Sequence, residues 1–211
     1  MQLISATPSP YARMVRIALA EKSVGFELVT EVPWNSDATV AQYNPLGKVP
    51  VLIPDDDLPV YDSAMILDWL EIRYPLAPLM PVEPEDVLLV KRLEVLANGI
   101  CDAVVLAVIE NTRDSDKRSE PWIARQDTKI RAAIAETARL VDADNQFLVA
   151  EMFSRADIAV GSMLAYVSLR YPHVDWRREH PELAQISDRL EERESFKNTV
   201  PVAQTFADKI A

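Results

Sequence analysis

The sequence predicts a small α/β domain followed by an all-helical one, and three observations carry that prediction. Strand and helix patterns alternate as far as Tyr74, four prolines crowd the stretch YPLAPLMPVEP that follows, and strand patterns all but vanish beyond it. With 211 residues, 49% of them hydrophobic, the chain has enough apolar material for one large core or two smaller ones.

QLISA at 2–6 reads as a strand. From Pro10 to Lys22 the apolar residues Tyr11, Met14, Val15, Ala18 and Leu19 recur at the spacing of an amphipathic helix. FELVTEV at 26–32 alternates as a strand does, the polar stretch from Asn35 to Gln42 holds a short helix, and KVPVLI begins another strand. The aspartate-rich PDDDL then turns the chain into LPVY, which predicts a hairpin. Asp62 and Ser63 open the helical stretch AMILDWLEIRY, which Pro75 ends. These elements place an α/β domain at residues 1–75, a proline-rich linker at 76–84 and a helical domain at 85–211. In the last, Leu89, Leu93, Leu96, Ile100 and Val104 mark one helix, and Ile123, Ile130, Ile134 and Val141 a second. Ile158 to Leu169 is apolar almost all round and belongs at the centre of a bundle, whereas HPELAQISDRLEERESF reads as a charged surface helix. Trp122 and Trp176 read as core packing.

Several function classes are disfavoured. A net charge of −11 repels phosphate backbones, so nucleic acid is not an expected partner. The apolar run AVVLAVI at 103–109 stops at Glu110, well short of the roughly 20 residues a membrane span needs. MQLISATPSP lacks the pattern of a secretory signal, and Cys101, the single cysteine, permits no internal disulfide, so a cytoplasmic setting is expected. Only four glycines occur, at 25, 47, 99 and 161, which excludes the glycine-rich phosphate loops and the nucleophile elbow. His173, His180 and Cys101 are too few for a His/Cys metal site, so no metal is expected; the histidines read as surface residues and Cys101 as core.

Three short stretches carry candidate chemistry. In TPSPYARM, Pro10 suits a first helical position and holds Ser9 extended before it, so Ser9 is the N-cap. Its hydroxyl can bond the orphan amides of the first turn, the commoner use, or face an anion at the positive end of the helix. In NPLGKVPVL, Pro50 stands at a strand entrance; a trans bond is the commoner form, and a cis bond would leave the Val49 backbone open to an extended ligand. In YDSAMILDWL, Asp62 and Ser63 either cap a helix or hold an amino-acid group, with the amides on its carboxylate and Asp62 on its ammonium.

Taken in order, these stretches resemble the cytosolic glutathione S-transferases of the bacterial, serine-using type. SPYARMVRIALAEKSVGFE is similar to that family's first helix and following strand, NPLGKVPVL to its cis-proline segment, and YDSAMILDWLEIRYP to its γ-glutamyl-binding helix. FSRADIAVGSMLAYV is similar to its capped core helix, with Ser154 and Asp157 at capping-box spacing. The resemblance implies a thioredoxin-like βαβ-α-ββα domain followed by a helical bundle. It makes Ser9 the donor to the glutathione sulfur, Pro50 the cis-proline, Val49 the partner of the cysteinyl backbone, and Asp62 with Ser63 the γ-glutamyl site. Lys48 becomes either the partner of the glycine carboxylate or a solvated lysine, and Tyr11 either lines the second-substrate pocket or packs.

The implied reaction joins the glutathione thiolate to a small hydrophobic electrophile, with glutathione as co-substrate, no prosthetic group, and a homodimer as the working form. A free thiol titrates near 8.5 and only its anion is a strong nucleophile, so a hydrogen bond donated by Ser9 would serve the chemistry directly. Two rivals are a non-catalytic binding or regulatory module on the same fold and a glutathione-dependent reductase or peroxidase; a thiol-disulfide role would want cysteine where Ser9 stands. The chain departs from the family pattern at Met14, where a basic residue is common, at Ser23–Phe26, which lacks the usual proline, and at Asp62, where glutamate is common.

Overall fold

A computed structural model of the chain describes residues 1–56 and 58–205. The elements run β1 (Gln2–Ser5), α1 (Pro10–Glu21), β2 (Glu27–Thr30), a 3-10 turn (Val40–Gln42), β3 (Val51–Ile53) and α2 (Ser63–Arg73). The helices α3 (Pro84–Thr112), α4 (Glu120–Leu140), α5 (Arg155–Arg170), α6 (Trp176–Glu179), α7 (Pro181–Glu191) and α8 (Glu194–Lys197) follow.

The sheet is mixed, in the order β2-β1-β3. Leu3 of β1 stands opposite Leu28 of the parallel β2 and Leu52 of the antiparallel β3. A parallel neighbour cannot be reached by a tight turn, so α1 makes the crossover and lays Val15, Ala18 and Leu19 into the core. The expected ββ hairpin is corrected here: LPVY does not form a strand but a single bridge, with Val60 exchanging backbone bonds of 3.0 and 2.8 Å with Leu52. In this register the next hydrogen-bonded pairs would be Pro54 with Leu58 and Pro50 with Asp62; neither proline has an N–H to donate, and Asp62 already caps α2, so the pairing stops at Val60.

α5 is the central post of the helical half. Ile158, Val160, Met163, Leu164 and Val167 are all buried, against α1 on one side and α3 on the other. Its start is fixed reciprocally: the Ser154 hydroxyl accepts from Ala156 N–H at 3.3 Å while Asp157 accepts from Ser154 N–H at 2.9 Å and Leu148 N–H at 3.0 Å. The buried Arg155 guanidinium ties the helix to Glu94 of α3 at 2.6 Å and to Asp68 of α2. The HPELAQISDRLEERESF stretch supplies α7, whose inner face buries Leu183, Ile186 and Leu190. Of the two tryptophans expected in the core, Trp176 is buried and donates to Ser168 Oγ at 3.0 Å, whereas Trp122 is 39% exposed in the first turn of α4.

Candidate active site

A cleft of about 330 Å³ opens where the β1–α1 turn, the 44–50 loop and the start of α2 face α3 and α5. Ser9, Tyr11, Lys48, Val49, Pro50, Asp62 and Ser63 all line it.

At the β1–α1 turn, Ser9 N–H donates to Ala6 O at 3.1 Å, which closes the turn and sets Ser9 extended ahead of Pro10. Ser9 Oγ accepts from Ala12 N–H at 3.2 Å, so the hydroxyl does cap α1. Capping uses the oxygen as acceptor and leaves the hydroxyl proton free to be donated, so the two uses of Ser9 are compatible. Among the amides of this turn, Pro10 has no N–H and that of Ala12 is taken, which leaves the N–H of Tyr11 without a partner among the described residues.

The 44–50 loop is held by Asn44, a buried side chain whose Nδ2 donates to Lys48 O at 2.9 Å and whose Oδ1 accepts from Leu46 N–H at 3.0 Å. Gly47 turns through φ +61°, a conformation open to glycine at little cost. The Val49–Pro50 bond is cis. Neither backbone group of Val49 makes a hydrogen bond among the described residues, so both remain for an extended ligand strand. Lys48 is exposed on the rim and forms no ion pair among the described residues.

At the start of α2, Asp62 Oδ1 accepts from Ala64 N–H at 3.1 Å and Met65 N–H at 3.5 Å, so Asp62 is the N-cap and Ser63 the first helical residue. Asp62 lines the cleft beside the amide end of the helix. That corner pairs an acceptor for an ammonium with donors for a carboxylate.

The far half of the cleft is built by residues the sequence did not single out. Asp102, Val105 and Ile109 fall on one face of α3, and Tyr166 of α5 and Trp34 complete the wall. The Tyr11 hydroxyl donates to Asp102 in a short hydrogen bond. Burial, then the neighbouring Cys101 and the bond to Asp102, push the Tyr11 phenol far above its ordinary value; burial likewise raises Tyr166. Both phenols are therefore neutral at any ordinary pH. The one signal that could have found Asp102 is a carboxylate interrupting an otherwise apolar helix face.

Among the described residues no group of three or more His, Cys, Asp or Glu side chains is arranged to hold a metal, and no helix is long and apolar enough to cross a membrane. The cleft can thus seat an extended, zwitterionic ligand along Val49 and α2, with an anionic centre at the head of α1 and an apolar partner against α3.

Residues 8–73 match the model of the glutathione S-transferase N-terminal domain and residues 120–189 that of the C-terminal domain. The chain is 54% identical to a glutathione S-transferase from Methylobacterium radiotolerans solved with glutathione sulfonate, covering 100% of this chain and 99% of that one at a TM-score of 0.97. It is 40% identical to one from Methylobacillus flagellatus solved with glutathione, covering 95% and 99% at a TM-score of 0.89. It is also 35% identical over 202 residues to the GST-like protein YibF of Escherichia coli, covering 95% of this chain and 98% of that one.

Proposed function

The chain belongs to the glutathione S-transferase family, and from that premise we propose that it binds glutathione along Val49 and α2 and transfers its thiolate to small hydrophobic electrophiles. The observation that carries this reading is the one cleft that gathers Ser9, Val49, Asp62 and Ser63 from three separate stretches of chain opposite a wall in which Val105, Val108 and Ile109 surround Asp102.

In this reading the tripeptide adds a strand at Val49, exchanging backbone hydrogen bonds with its cysteinyl residue. The γ-glutamyl carboxylate meets the amide end of α2 and its ammonium meets Asp62, while Lys48 faces the glycine carboxylate. The sulfur comes to the head of α1, where the Ser9 proton and the Tyr11 N–H are available and the helix dipole favours negative charge. Each donor stabilises thiolate more than thiol, so the sulfur loses its proton at a lower pH and attacks as the anion. Ser9 donates throughout and forms no bond to substrate. Tyr11 is a poor rival for the task, because its proton is already given to Asp102. Its ring, with Val105 and Ile109, receives the electrophile and excludes water from it.

The working form in this reading is a cytoplasmic homodimer. Met65 and Ile72 on α2, and Leu88 and Val95 on α3, are apolar, more than half exposed and spaced by two helical turns on each helix, which suits a second copy of the chain.

The test is glutathione titration by calorimetry combined with a conjugation panel of halonitroarenes, enones and epoxides. Saturable binding together with turnover of at least one electrophile is the expected result. Saturable binding with no turnover anywhere in the panel would replace the enzyme with a binding module, and no binding would remove the proposal.

A further inference from the structure

Ser9 sits on the β1–α1 turn, and both of its flanks along the chain are bonded to the segment that follows α7 or to its last residue. Two residues before it, Thr7 Oγ1 donates to Val202 O at 3.1 Å, and Val202 N–H returns a bond to Thr7 O at 3.4 Å. One helical turn after it, Arg13 is a charged side chain only 2% exposed. Its Nη2 reaches both carboxylate oxygens of Glu191 at 2.9 Å and the Phe196 carbonyl at 3.3 Å, and its Nε lies 3.4 Å from Thr199 Oγ1. The guanidinium carbon stands 5.2 Å from the centre of the Phe196 ring, which itself sits against Gly161 of α5. The grip continues along α1, where Arg16 donates to Asn198 O at 3.0 Å and Glu21 pairs with Arg193 at 2.7 and 3.0 Å.

A buried charge with this many fixed partners holds a geometry, because breaking any of those bonds in the interior is costly, even though its Nη1 has no hydrogen-bond partner among the described residues. A helix end carrying a reactive hydroxyl gains from such fixing, since a displacement of about 1 Å at a reacting centre costs on the order of a hundredfold in rate. The ion pair and the two backbone-centred bonds lie on opposite sides of Ser9, so together they set both where the turn stands and which way α1 points.

We propose that the segment from Glu191 to Val202 is a clasp that positions the Ser9 hydroxyl toward the sulfur, with Arg13 and Thr7 as its positioning residues. The inference rests on the role given to Ser9 above and adds that the serine is aimed by the C-terminal end of the helical domain.

The readout is the pH titration of the bound glutathione thiol, followed by ultraviolet thiolate absorbance, alongside kcat and KM. In Thr7→Val, which keeps size and loses the donor, kcat at neutral pH falls about three- to tenfold while KM for glutathione stays within about twofold, because ionisation and not binding is affected. Arg13→Met falls further, about tenfold or more, and Arg13→Lys recovers part of the loss. Ile134→Val, which trims the buried face of α4 away from the clasp, lowers the melting temperature and leaves the thiol titration in place. Thr7 is only half-buried, so its variant keeps the test intact should Arg13→Met not fold. The clasp is overturned if both variants melt earlier yet leave the thiol titration unmoved while Ser9→Ala shifts it. If Ser9→Ala itself leaves the titration unmoved, the role of Ser9 fails first and the clasp with it.

Discussion

Replacing Ser9 by alanine removes one donor from the head of α1, and the structure sets how much that should cost. A hydrogen bond to a charged acceptor contributes about 1.5–3 kcal/mol, which corresponds to roughly 10- to 150-fold in rate and about one to two units in the pKa of the bound thiol. The compensation available is limited. Pro10 has no N–H, and the N–H of Tyr11 is present in both proteins. The N–H of Ala12, now spent on Ser9 Oγ at 3.2 Å, would be released and recover part of the loss. The expected deficit is therefore in the lower part of the range, roughly 10- to 30-fold at pH 6.5. Its pH dependence is the sharper test. In the proposed complex the thiol is depressed below its free value near 8.5, so the expected deficit is largest at pH values below the bound pKa and closes as pH rises past about 8.5. Losing the cap also lowers stability by about 1 kcal/mol, read from denaturant unfolding. The assay is kcat at saturating glutathione across this range. A deficit that is the same at every pH would mean that alanine disturbs the site without touching sulfur ionisation, and no deficit would remove Ser9 from the chemistry.

Tyr11→Phe is expected to lower kcat/KM for the electrophile less than about tenfold and to leave the ionising limb of the pH–rate profile in place, because the buried phenol stays protonated well past its ordinary value of about 10; a displaced limb would implicate the phenolate instead. Gly161→Ala puts a Cβ 2.5 Å from Phe196 Cε1 and 3.1 Å from Leu190 Cδ1, so it should destabilise the fold by about 1–3 kcal/mol in a denaturant titration; an unchanged midpoint would mean that the Phe196 ring has room to move. Val95→Lys places a charge in the exposed stripe of α3 and is expected to convert a dimer to a monomer in sedimentation; an unchanged mass would put the interface elsewhere.

What the sequence revealed and what it hid follow from the range of the interactions. The half of the cleft proposed to hold glutathione is made of local devices: a serine before a proline at a helix start, a proline at a strand start, and an aspartate before a helix. Each writes its signature within a few residues, which is why Ser9, Val49 and Asp62 could be named before any fold was known. The expected hairpin shrinks to the Leu52–Val60 bridge because Pro54 and Pro50, the next residues of β3's edge to face that arm, carry no N–H, and Asp62 is committed to the α2 cap. The opposite half, proposed to receive the electrophile, left almost no local trace. Tyr11 meets Asp102 across 91 residues of chain, and Val105 and Ile109 look like any apolar helix face until α3 is set against α1. Arg13 is the extreme case: periodicity alone would leave it on the polar side of α1, and only Glu191, 178 residues away, and Phe196 make burial of its charge affordable.

The central claim is that the glutathione sulfur is received at the head of α1 by the hydroxyl of Ser9. A crystal structure of the protein with glutathione tests it most directly. The expected density puts the sulfur within hydrogen-bonding distance of Ser9 Oγ, with the cysteinyl backbone paired to Val49 and the γ-glutamyl group at Asp62 and Ser63. Sulfur resting against the Tyr11 hydroxyl, or a tripeptide bound outside this cleft, would contradict it.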